Sequence, residues 1–176
     1  KDTTNCSKYK KHIFVYGSTM FKKKLLKNYI NLPFSKEIFQ SSSKIYVTNF
    51  LREEKKNQSD IIEIHNRPSY VDIVANNTQA KIVLYFHNDP LDMNGSKSVK
   101  DRMNLFNKTE KIIFNSEWSK KRFLTNINKI SYKSKKLLVI YQSTNRTKVN
   151  LKKKQKIITF VGKLNRAKGY DIFGEA

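Results

Sequence analysis

Asp60-Ile-Ile-Glu-Ile-His65-Asn66-Arg67-Pro68 and Lys81-Ile-Val-Leu-Tyr-Phe-His87-Asn88-Asp89-Pro90 are near-copies of one another, and their reading decides the fold. Each is a short apolar run that stops at His-Asn-x-Pro. Such runs read as strands buried on both faces, as in parallel sheets. Proline is expected to forbid further strand or helix, leaving polar groups at each strand's carboxyl end. In an open α/β sheet that edge is where ligands bind. Two matched ends predict one cleft, and a cleft suggests an enzyme.

Outward from this pair the same alternation continues. Lys11–Gly17 reads as a strand closed by a glycine turn, and Lys22–Leu32 fits either a helix or a strand ahead of Pro33. Ser41–Ser43 offer caps for a helix over Lys44–Lys56, with Val47, Phe50 and Leu51 on one face. A helix from Ser69 is expected to turn Tyr70, Val71, Ile73 and Val74 inward. A helix from about Ser98 carries Val99, Met103, Leu105 and Phe106. Lys111–Asn115 is a further buried strand, with Ser116 placed to cap a helix over Glu117–Thr125 whose apolar side is Trp118, Phe123 and Leu124. Leu137–Tyr141 is a sixth strand-like run. Strands and helices in this order predict an α/β class with a doubly wound, Rossmann-like parallel sheet.

The 176 residues provide for one good core, or for one domain and part of another. Residues 1–142 are expected to form the first domain and 143–156, polar and without apolar period, a linker. Ile157–Gly162 then starts a new strand, with a helix from about Tyr170. A single βα unit cannot fold alone, so residues 157–176 read as the opening of a second domain cut short. Lys1-Asp-Thr-Thr-Asn-Cys-Ser holds neither an initiating Met nor a signal-peptide segment, so the chain is expected to begin inside a longer protein. No run of eighteen apolar residues occurs. The single cysteine, Cys6, excludes an internal disulfide framework and fits a reducing compartment.

A net charge of +22 is the strongest compositional signal. It suits a nucleic-acid binder, or contact with an anionic membrane or a phosphorylated substrate. The lysines, however, are scattered through 8–11, 22–24, 133–136 and 152–154, with no stripe, no RNP-like aromatic box and no zinc pattern. That distribution favours lysine-solvated faces over a nucleic-acid site. Gly-x-Ser-x-Gly, the phosphate-loop Lys-Ser/Thr signature and Gly-x-Gly-x-x-Gly are all missing. Nothing requires a metal or other cofactor.

Three motifs, in order along the chain, carry a resemblance. Gly162-Lys-Leu-Asn-Arg-Ala-Lys168-Gly169-Tyr-Asp171 resembles the Gly-Arg-Leu…Lys-Gly-x-Asp opening of the donor domain in retaining GT-B glycosyltransferases of the family-four type. Ile112-Ile-Phe-Asn-Ser116-Glu-Trp is similar to the strand, serine and helix ending that family's acceptor domain, and the strand closing on His87 to its central element. The resemblance runs from about Asp60 to the C-terminus. It implies the N-terminal domain of a GT-B fold, without its first glycine-rich loop, plus the first βα unit of the nucleotide-sugar domain. It further implies transfer of a hexose from a nucleotide-diphosphate sugar to a glycan or lipid-linked acceptor, with retention of configuration and no metal. The expected location is cytoplasmic, with peripheral contact at the inner face of the membrane, and no nucleic-acid partner.

By that resemblance Gly162, Lys163 and Lys168 bind the donor diphosphate, at a strand–turn–helix start whose free N–H groups suit an anion. Lys163 replaces the family's usual Arg, keeping charge but losing the bidentate fork. The residues also fit plain solvation of a βα turn. His87 lies near the transferred sugar as the catalytic residue, with His65, Asn66 and Arg67 on the acceptor side. Asn88 and Asp89 are candidates for sugar hydroxyls, or for an Asx turn. Ser116 reads as a helix cap rather than a ligand. Residues 1–176 alone are expected to be inactive. The other readings are a basic module for nucleic acid or anionic membrane, and a sugar-nucleotide epimerase on the same scaffold.

Overall fold

The computed structural model describes residues 8, 12–19, 27–32, 42–143, 159–162, 166 and 169–175. The chain divides into two compact units, residues 1–142 and 143–176. In the first, β1 (Val15–Gly17) pairs in parallel with β2 (Tyr29–Asn31). Helix α1 (Ser42–Lys56) follows, then β3 (Ile61–His65), α2 (Val71–Ala75), β4 (Lys81–Phe86), α3 (Val99–Lys108), β5 (Lys111–Phe114), α4 (Glu117–Leu124) and β6 (Leu137–Val139). Strands β3 to β6 form one parallel sheet in chain order. Because every pair is parallel, the carboxyl ends of all four strands share one edge.

The apolar runs divide strictly by parity. Ile62, Ile64, Ile82, Leu84, Phe86, Ile112, Phe114 and Leu137 are buried, and the register sets them side by side. Val47 and Leu51 of α1, Val71 and Val74 of α2, Leu105 of α3 and Phe123 of α4 join them in one core. The alternate residues, Ile61, Glu63, His65, Val83, Tyr85, Ile113 and Leu138, lie on the other face and are exposed or only partly covered. The strands are therefore not buried on both faces. Helices α1 to α4 pack on the buried side of the sheet, and no described strand pair carries the reversal of order that double winding requires.

Helix starts follow the expected chemistry. Ser98 caps α3 in a reciprocal box with Asp101, and Ser116 Oγ accepts from the Ser119 N–H at the start of α4. The buried Arg102 sends Nη1 to the carbonyls of Phe123 (2.5 Å) and Thr125 (2.9 Å), satisfying the end of α4.

Three apolar side chains expected inside are outside: Ile73 is 39% exposed, Val99 39% and Trp118 58%. Each belongs to the opening turns of a short helix, where the first-turn geometry rotates the 3.6-residue phase away from the core. The first strand covers only Val15–Gly17, and β6 ends at Val139 rather than Tyr141.

In the second unit Thr159–Gly162 carries no strand pairing, and residues 157–158 lie outside the described set. Helix α5 (Tyr170–Glu175) starts where expected, after Gly169 at φ +70°. No helix among the described residues is long and apolar enough to cross a membrane.

Candidate functional site

The two His-Asn-x-Pro tips fold alike. Each proline opens a 3-10 turn, Pro68–Tyr70 and Pro90–Asp92, rather than ending regular structure outright. The ring's fixed φ and missing N–H suit a first helical position. Gly95 locks the tips together. Its φ is +89°, and a Cβ there would stand 2.6 Å from the Ser69 backbone nitrogen. The fully buried Ser96 hydroxyl donates to the Pro90 carbonyl at 2.5 Å.

Asn66 joins the first tip to the second strand. It adopts φ 56°, in the left-handed region that asparagine tolerates better than most residues. Its backbone N–H donates to the Tyr85 carbonyl (2.8 Å), and its Oδ1 accepts from the His87 N–H (3.2 Å). Asn115, at the end of β5, donates from Nδ2 to the His87 carbonyl (2.7 Å). The backbone on both sides of His87 is thus pinned by the neighbouring strands' ends.

On that support the side chains form a line. Glu63 Oε1 is 3.1 Å from His65 Nε2, His65 Nδ1 is 2.9 Å from His87 Nε2, and His87 Nδ1 is 2.8 Å from Gln142 Nε2. The imidazole centroids are 5.2 Å apart with planes within 14°, so the rings meet edge to edge. Tyr85 lies nearly parallel to both, 4.4 Å from His87 and 5.5 Å from His65, and its hydroxyl donates to the Ile140 carbonyl at 2.9 Å. The result is a flat imidazole pair on the open face of the sheet, at its carboxyl edge, backed by an anchored phenol.

Charge follows this arrangement. Burial lowers His87 below the ordinary imidazole value, positive charge on His65 acts in the same direction, and Glu63 opposes both. The hydrogen bond from His65 holds the Glu63 carboxyl below its ordinary range despite burial, with the charges of both histidines assisting. Burial raises Tyr85, and Glu63 adds to that shift. His87, with Glu63 reached through His65, is suited to accept a proton.

Of the residues expected from sequence, His65, Asn66 and His87 converge here. Arg67 is beside them, with Nη1 donating to the Asn66 carbonyl at 3.0 Å. Asp89 is committed elsewhere: Oδ1 accepts from the Leu91 N–H (2.9 Å), which is the Asx turn, and Oδ2 pairs with Arg122 (2.9 Å). Burial raises its pKa, but the Arg122 and Leu91 hydrogen bonds together outweigh that and leave it lowered. The Asn88 carbonyl accepts from Ser119 Oγ at 3.5 Å. Lys163 and Lys168 lie outside the described residues, while Gly162 packs under the Phe160 ring of its own unit. Among the described residues no cluster of three or more His, Cys, Asp or Glu is arranged to hold a metal.

Glu63, Tyr85, Asn115 and Gln142 were not expected. Glu63 and Tyr85 each precede a tip histidine by two residues, which in a strand means the same face. That signal was present in the sequence. Gln142 had none, because its partner lies 55 residues away. No protein-family model, no curated protein and no solved structure matches this chain.

Proposed function

We propose that the chain carries the acceptor side of a glycosyltransferase. It moves a hexose from a nucleotide-diphosphate sugar to a glycan or lipid-linked acceptor with retention of configuration. The observation that supports this reading best is the contact between His65 and His87 at the carboxyl edge of a parallel sheet, the edge such folds use for ligands. An open face carrying imidazoles, a phenol and amides suits a polyhydroxylated ligand, which needs donors and acceptors around a flat surface. His87 is the catalytic residue of this reading. His65, Asn66 and Arg67 shape the acceptor side, and Asn88 borders it.

Gly162, Lys163 and Lys168 take the donor diphosphate on the strength of the motif alone. Their charge would stabilise the leaving nucleotide. No cofactor enters the reaction, and the expected location is cytoplasmic with peripheral membrane contact.

Calorimetric titration of the 176-residue chain with a panel of nucleoside diphosphate hexoses and short oligosaccharides tests the reading. It expects saturable binding of at least one sugar ligand that His87→Ala weakens. Absence of any sugar binding, together with duplex DNA binding that falls by about a thousandfold between low and moderate salt, would replace it with a basic nucleic-acid module.

A further inference from the structure

We propose that Glu63, His65 and His87 form a proton relay in which His87 Nδ1 is the proton acceptor, Gln142 covers that atom, and Glu63 is a positioning residue acting through His65. The inference deepens the transferase reading, on which only the identity of the proton donor rests.

The polarity of the chain follows from its members. An ionised carboxylate only accepts, so the hydrogen between Glu63 and His65 belongs to His65 Nε2. A neutral His65 then has a bare Nδ1, and the 2.9 Å contact requires the hydrogen on His87 Nε2. His87 in turn has a bare Nδ1, and there the Gln142 amide N–H donates at 2.8 Å. One assignment satisfies all four groups. The lowered pKa of Glu63 holds the carboxylate ionised, and so holds this direction.

One other arrangement is consistent, and it differs by a single proton. If His87 Nδ1 takes a proton, the Gln142 N–H no longer has an acceptor, and the amide must rotate to present Oε1. The His87 Nε2 proton can then pass to His65 Nδ1, and the positive charge comes to rest next to Glu63. The proton enters at one end of the line while its charge is balanced at the other. The titratable groups facing His87 among the described residues are Glu63 and His65 on β3 and Tyr85 on β4. Gln142 beyond β6 and Asn115 beyond β5 are neutral. Tyr85, tied to Ile140, keeps both rings in plane for the transfer.

In the transferase the donor is the acceptor hydroxyl. Once Gln142 swings off Nδ1 the hydroxyl takes its place, and its oxygen bonds to the anomeric carbon as its proton goes to His87 Nδ1. The bond from that carbon to the diphosphate oxygen breaks, and the electron pair leaves with the diphosphate. The imidazolium later returns its proton to water.

The test needs no sugar, so its failure is distinct from a failure of transfer. Long-range proton–nitrogen spectra of the histidine-labelled chain report which ring nitrogen carries hydrogen. Neutral His65 and His87 are expected both to be Nε2–H forms, with Glu63→Gln lowering the His87 titration midpoint. Gln142→Ala is expected to speed carbethoxylation of His87 by diethyl pyrocarbonate several-fold. A neutral His87 carrying its hydrogen on Nδ1, or a midpoint unmoved in Glu63→Gln, overturns the relay. Should Glu63→Gln fail to fold, the wild-type tautomers decide alone.

Discussion

His65 Nδ1 and His87 Nε2 lie 2.9 Å apart, although 22 residues separate the two histidines in sequence. The parallel register opposes His65 to Tyr85, two residues short of His87, so the histidines meet diagonally across the end of the β3–β4 pair. This contact joins two separate sequence motifs into one chemical group.

Gly95→Ala should loosen both tips at once. The added Cβ would collide with the Ser69 backbone, at a φ that L residues rarely adopt. A loss of at least about 1–3 kcal/mol is expected from strain of this kind. Urea unfolding of the variant measures it.

Core and surface aromatics should separate sharply. Phe86 is fully buried, stacked 5.7 Å from Phe114 and tilted by 52° against Phe123 at 5.8 Å. Phe86→Ala is expected to cost about 3–5 kcal/mol. Trp118→Ala should change stability by only about 0.5 kcal/mol, since the ring is mostly in solvent. The same unfolding experiment compares the two.

Arg102→Met removes a guanidinium that reaches several carbonyls at the end of α4. Leaving buried carbonyls without a partner is expected to cost about 1–3 kcal/mol. Because α4 packs on the strand that follows His87's own, hydrogen exchange should rise along Glu117–Leu124 before the rest of the unit.

Which of these features the sequence carried is a matter of range. The Ser116 cap and the matched tips are local, and each was legible from residues a few positions apart. The one-sided cover of the sheet was not. Runs such as Ile61-Ile-Glu-Ile and Lys111-Ile-Ile-Phe look continuous, because β-branched residues suit both a buried and an exposed strand face. Only Glu63, breaking the run on the open face, hinted at parity. Ile73 points outward because α2 is five residues long and follows a 3-10 turn, so no sustained helical phase exists there. The Arg122 partner of Asp89 and the Gln142 partner of His87 were illegible, since long-range side-chain pairs leave no local pattern.

Stability should fall with acid in two windows. The folded value of His87 lies below its ordinary value of about 6.5, so its contribution is complete above that pH. As pH falls further, the unfolded chain takes the proton more readily, and stability declines until the folded value is passed. Asp89 is likewise lowered, so its contribution is present above about pH 3.9 and lost as pH falls through its folded value. Melting temperature measured against pH should show both declines. His87→Gln should flatten the upper one, and Asp89→Asn should reduce the lower, to which the lowered carboxyls of Glu63 and Asp72 also contribute.

Shift mapping by NMR with a saturating sugar ligand tests the central claim most directly. The resonances of His65, Tyr85, His87 and Gln142 are expected to move together with one dissociation constant, while those of Ile73 and Trp118 stay still. Movement confined to other parts of the chain, with the four-residue line unchanged at saturation, would contradict the assignment of this edge as the site.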